Sequence, residues 1–165
     1  MGGTIRCDIC GRGSYRSRIL PRYDAAGLVG VEGVTLLRVP ALVCSACGAV
    51  MLVGSALDRA MQELTLLLAK SDGALRPAEV KFLRGALDMT QEALAARLGV
   101  HRTTVARWEI GDVPMGQVES MALRALAAMR LLAERPALAR EVASDFAKPG
   151  TVRASPRYEI EIGAA

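Results

Sequence analysis

The sequence predicts an α+β chain, with a small metal-bound antiparallel β domain followed by an all-α helix-turn-helix domain. Three observations predict it. Two Cys-x-x-Cys knuckles, Cys7 with Cys10 and Cys44 with Cys47, bracket segments rich in β-branched residues and glycine. From Ser55 onward the apolar residues recur at helical spacing. Between Thr90 and Gly111 two short helical repeats meet across a turn containing Gly99, as in a helix-turn-helix. The chain then divides into a zinc-binding domain (1–54), a linking helix and hinge (55–73), a DNA-binding and dimerisation domain (74–134), and a C-terminal helix and tail (135–165).

Each knuckle is followed by a glycine, Gly11 or Gly48, which lets the chain turn tightly past the second sulfur. Cys7, Cys10, Cys44 and Cys47 together offer the four thiolates that zinc takes in a tetrahedral site. One ion with four protein ligands has no open position, so the site is expected to be structural. Two disulfides, or iron in a rubredoxin-like redox site, use the same residue types and remain open on ligand chemistry alone. The start, MGGTIRCDIC, has no apolar signal region, and no apolar run is long enough to span a bilayer. A cytoplasmic protein with no membrane partner is expected, and a reducing compartment favours metal over disulfides.

Between the knuckles, Tyr15 to Tyr23 and Val34 to Val43 read as strands, with Pro40 placing the second at an edge or an irregular end. Gly27, Gly30 and Gly33 mark turns. So small a sheet is expected to depend on its metal. Ser55-Ala56-Leu57-Asp58 reads as an acidic capping box opening a helix to Lys70, with Leu57, Met61, Leu64 and Leu68 on one face. Ser71-Asp72-Gly73 is expected to be a hinge. Pro77 suits the first turn of a helix to Leu87, with Val80, Leu83 and Leu87 inward. Thr90 suits the N-cap of the next, which carries Leu94, Ala95 and Leu98.

A last helix is predicted from Gln117 to Glu134, with a polar stripe of Gln117, Ser120 and Arg124. Its second half is apolar nearly all round, which predicts a second subunit packed near Leu126 to Leu132, hence a homodimer. The tail beyond Lys148 is expected to be mobile and carries no assigned function, although Tyr158 to Ile162 alternates like a short strand.

Function is written most clearly on the second helix of the helix-turn-helix. Arg102, Thr103, Thr104 and Arg107 lie opposite Val105 and Trp108, and these side chains bond base edges and phosphates. Residues 1–54 hold six basic and three acidic residues, whereas 71–134 hold eight of each, so DNA affinity depends on where the arginines point. The only histidine, His101, has no visible nucleophile or open metal site beside it, and no enzyme is expected.

From Leu83 to Gly111 the chain resembles the Cro/CI-type (XRE) helix-turn-helix family, in Arg84, Thr90-Gln91 and Trp108-Glu109-Ile110-Gly111. The resemblance implies a lambda-repressor-like fold. It also implies that Gln91 meets a phosphate, that Arg102, Thr103 and Arg107 meet base edges, and that Arg84 pairs with Glu109. Where the family has glycine, this chain has Asp88, which would have to adopt a left-handed conformation. The order of parts from Cys7 to Leu132, and the stretch RVPALVCSACG in particular, is similar to the MqsA (YgiT-type zinc finger) antitoxin family. That resemblance implies a metal domain that holds a toxin and a second domain that represses the shared operon from double-stranded promoter DNA. A zinc-bearing regulator without a toxin partner is the alternative.

Overall fold

The computed structural model describes residues 5–138 and 157–163. Strand β1 (Tyr15–Asp24) and the single helical turn α1 (Ala26–Val29) lead into β2 (Val34–Cys44) and β3 (Val50–Leu52). Five helices follow: α2 (Ala56–Lys70), α3 (Pro77–Ala86), α4 (Gln91–Leu98), α5 (Arg102–Ile110) and α6 (Gln117–Glu134). A last strand, β4 (Tyr158–Glu161), returns to the sheet. The α+β class is therefore present in the predicted order.

Strand β2 is the centre of the sheet. β1 pairs antiparallel with it from Tyr15 opposite Cys44 to Asp24 opposite Thr35, with Pro21 and Arg38 left out of the ladder. The other edge is shared: β3 runs antiparallel to Ala41–Val43, and β4 runs parallel to Val34–Leu37. Pro40 therefore sits in a central strand and not at an edge. It is tolerated because it falls between the two segments paired on that side, where no ladder runs. Arg38 has a φ of 53° and resets the alternation of the strand. Val34 and Leu36 point inward before it, Val39 and Ala41 after it, so one left-handed residue moves the buried set from even to odd positions.

The buried core is continuous. Val31, Val34, Leu36 and Val39 of the sheet region pack with Ala60, Leu64 and Leu68 of α2, and the same cluster runs on through Val80, Leu83, Leu94, Val105, Trp108 and Leu123. The sheet is thus covered by α2 on one face as well as organised by its cysteines. On α2, Leu57 is more than a third exposed and Leu64 and Leu68 are buried, so the inward stripe is rotated from the predicted one. Ser55 makes no side-chain cap bond, and the predicted capping box is absent: its ψ of 10° does not hold the hydroxyl over the first-turn amides.

The segment expected to hinge is tied down. Arg124 donates from Nη2 to the carbonyl oxygens of Gly73 at 2.5 Å and Asp72 at 3.2 Å, and Ser120 Oγ accepts from the Leu75 amide at 3.0 Å. The polar stripe of α6 is thus buried at Ser120 and Arg124, where it satisfies linker backbone. The tail expected to be mobile includes an ordered strand. Residues 157–163 form and flank β4, with Tyr158, Ile160 and Ile162 buried, while 139–156 lie outside the described residues.

Candidate metal centre and nucleic-acid interface

The two knuckles bring Cys7, Cys10, Cys44 and Cys47 together, with their sulfur atoms all within 4.8 Å of one another. Cys7 and Cys47 Sγ are 3.8 Å apart, and Cys10 and Cys44 Sγ are 3.7 Å apart. These are far beyond a disulfide bond of about 2.05 Å. They equal the edge of a tetrahedron with a metal–sulfur bond of about 2.3 Å, which is about 3.8 Å. The donor set can therefore hold one metal ion, with no ligand position left over.

Local backbone explains the cluster. Gly11 and Gly48 both take positive φ, 63° and 72°, and their amides close each knuckle on the carbonyls of Cys7 and Cys44 at 2.9 and 3.1 Å. Gly13 was not singled out in the sequence. A Cβ there would lie 2.7 Å from Cys44 Sγ and 2.7 Å from Ala46 Cβ, so only glycine lets the two knuckles approach. Around the sulfurs the thiols are unequal. Backbone amides, first that of Cys10, lower Cys7 to about 6 against burial, and the amides of Arg12 and Gly13 lower Cys10. Cys47 goes the other way, to about 12. The Ala49 amide is the largest single influence and favours the thiolate, but the neighbouring thiols and burial together outweigh it. Such a split is what crowded thiols do when they share hydrogen bonds, since a proton kept on one sulfur favours the thiolate on its neighbour. Asp8 accepts from the Tyr15 hydroxyl at 2.7 Å, which lowers the carboxyl and raises the phenol.

In the helical unit, Thr90 Oγ1 caps α4 by accepting from the Ala93 amide at 3.1 Å, and Gly99 ends that helix in the left-handed conformation. His101 caps α5: its Nδ1 faces the Thr103 amide at 3.3 Å and the Thr103 hydroxyl at 2.8 Å. Val105 and Trp108 anchor α5 in the core, which leaves Arg102, Thr103 and Arg107 exposed and Thr104 half-buried on the other side. Asp88, where the XRE pattern has glycine, takes a φ of 54° and pairs with Arg130 at 3.1 Å.

Arg84 Nε donates to Glu109 Oε1 at 2.5 Å and Nη2 to Oε2 at 3.3 Å, while Nη1 holds the Met89 carbonyl at 2.7 Å. Glu109 is almost fully buried, and it also accepts from Gln91 Nε2 at 2.8 Å. That link was not legible in the sequence. It positions Gln91 at the amino end of α4 through the ion pair of α3 and α5. Arg107 Nε donates to Asp112 Oδ2 at 2.6 Å in a half-exposed pair that engages one nitrogen of the guanidinium.

Residues 80–117 match the helix-turn-helix family. That match, from α3 to the first residue of α6, supports an XRE-type helix-turn-helix that binds double-stranded DNA. No curated protein matches the chain. No helix among the described residues is long and apolar enough to cross a membrane.

Proposed function

We propose that the chain is the antitoxin of a type II toxin–antitoxin pair, and that it represses its own operon by binding palindromic DNA as a homodimer. One zinc ion, held by the four cysteines in a structural role, shapes the unit that binds and neutralises the toxin, and neither unit is catalytic. The observation that carries this reading is the joining, in one chain, of a closed four-thiol cluster to an XRE-type DNA-binding unit. A closed site cannot activate water or substrate, which leaves the cysteine unit to recognise a partner.

On the DNA side, Gln91 meets a phosphate at the amino end of α4, where amides and helix dipole favour an anion. Arg102, Thr103, Thr104 and Arg107 present α5 to the major groove. The homodimer is supported by an exposed stripe on α6, where Val118, Met121 and Met129 are 72%, 56% and 59% exposed. Val118 and Met121 lie to the amino side of the surface expected from the sequence, and Met129 lies within it. Ala128 and Leu131 turn inward to Leu66 and Ala69 of α2 and are not available to a second subunit.

The experiment is expression of the reading frames adjacent to this gene, singly and with it. One of them should arrest growth alone and be silenced by co-expression, and the purified pair should be colourless and contain one zinc ion per chain. Harmless neighbours would leave a zinc-bearing regulator without a toxin partner. Iron in place of zinc would revive a rubredoxin-like role.

A further inference from the structure

We propose that the edge of β2 over Val34–Leu37, together with Glu79 of α3, is a seat for a strand of the pattern Tyr-x-Ile-x-Ile. The chain's own residues 157–163, held in that seat, lock the cysteine-bearing sheet to the helix-turn-helix unit. The strand touches both units at once. Its backbone is zipped to the sheet, with the Tyr158 amide donating to Gly33 O at 2.9 Å and the Ile162 amide to Leu37 O at 3.0 Å. Tyr158, Ile160 and Ile162 are at most 5% exposed and enter the core that holds Val34, Leu36 and Leu64.

The other attachment is polar and lies on α3. The Tyr158 hydroxyl donates to Glu79 Oε1 at 2.5 Å. Glu79 is fully buried and also accepts from the Arg76 amide at 2.9 Å and from its guanidinium at 3.1 Å. A buried carboxylate is held in place by its donors, so the hydroxyl fixes where α3 begins relative to the sheet. Outside, the alternate residues Glu159 and Glu161 face Arg22 at 2.7 Å and Arg38 at 3.4 Å, which sets the register of the strand. The seat recognises three features: two aliphatic side chains, a phenol that reaches Glu79, and acidic residues between them.

Among the described residues β4 pairs only with Val34–Leu37 of β2, so it can leave without unpairing β1 or β3. The linker would then be held by Arg124 and Ser120, and the two units by the packing of α2 on α3 and α6, without the polar tie through Glu79. Opening of this kind is read by proteolysis and amide exchange.

The test compares the full chain, a chain ending at Pro156, and that shortened chain with the peptide RYEIEIG added in trans. Trypsin cleavage after Lys70, at the start of the linker, should be about tenfold faster in the shortened chain. Exchange should rise both in residues 34–37 and around Glu79, and the peptide should reverse these changes while a scrambled peptide does not. Tyr158→Phe in the full chain keeps the strand and removes one donor. It should speed cleavage after Lys70 with residues 34–37 still protected, and it decides the matter if the shortened chain does not fold. Unchanged cleavage in Tyr158→Phe, or faster exchange confined to residues 34–37 in the shortened chain, would show that β4 only completes the sheet and would overturn the lock.

Discussion

Around the cysteines the buried side chains are few: Cys7, Tyr15 and Cys44 form a cluster of their own, bordered by Cys10, Leu42 and Ala49. The helix-turn-helix instead shares the large core that runs from the sheet through α2 to Leu123. It adds a nearly buried ion pair that ties its first helix to the end of α5. One end of the molecule is organised by ligand geometry, the other by apolar packing with a polar clasp. The difference shows in what each tolerates. A metal site needs four sulfurs and a glycine at one close approach, and little else. The helical unit spreads its stability over many contacts, and single losses there should be graded.

Removing the metal should give the largest effect. Binding free energy for structural zinc in zinc-finger peptides is about 10–16 kcal/mol and becomes folding free energy. Cys44→Ser, or a strong chelator, should release the ion and expose both knuckles to protease while the helical circular dichroism persists. Gly13→Ala should mimic this in part, because its Cβ would sit 2.7 Å from Cys44 Sγ. If chelation leaves the knuckles protected, the separate cluster stands on its own and the contrast between the units is lost.

Arg84→Ala comes next. Its removal strands Glu109, whose side chain is 5% exposed, and should cost about 3–5 kcal/mol. Arg22→Ala breaks a pair with both partners more than half exposed and should cost under about 1 kcal/mol. Thermal melts of the two variants separate them, and equal small shifts would mean that the clasp contributes little. Met129→Glu, on the exposed stripe of α6, should leave the melt nearly unchanged but halve the mass seen by sedimentation. A wild-type protein that sediments as a monomer at micromolar concentration would refute the dimer.

Much of this was legible in the sequence, and the misses have physical causes. The helices of the DNA-binding unit announce themselves through caps and periodicity, as at Thr90, Leu94 and Gly99, because those signals are local. The cysteines are legible because ligand spacing is a short-range constraint. The seat of β4 was not, since parallel pairing between Val34 and Tyr158 joins residues whose sequence neighbourhoods say nothing of each other. Arg124 was legible as part of a polar stripe, but its partners were not, for a similar reason. It serves linker carbonyls that only the tertiary structure brings to it. Pro40 and Arg38 show that a central strand can admit a residue without an amide, and one left-handed residue, where pairing is interrupted.

The most direct test of the account is a binding series over single-base variants of the chain's own promoter, with wild type, Arg107→Ala and Gln91→Ala. Arg107 should read a base, most simply guanine, through the nitrogens of its guanidinium other than Nε. Its loss should cost about 1–3 kcal/mol and flatten preference at one position in each half-site, with half-sites spaced about 34 Å apart. Gln91→Ala should weaken every variant alike with almost no change in salt slope, because its side chain is uncharged. If Arg107→Ala instead weakens all variants by one factor, Arg107 contacts phosphate and α5 does not read sequence in the way proposed.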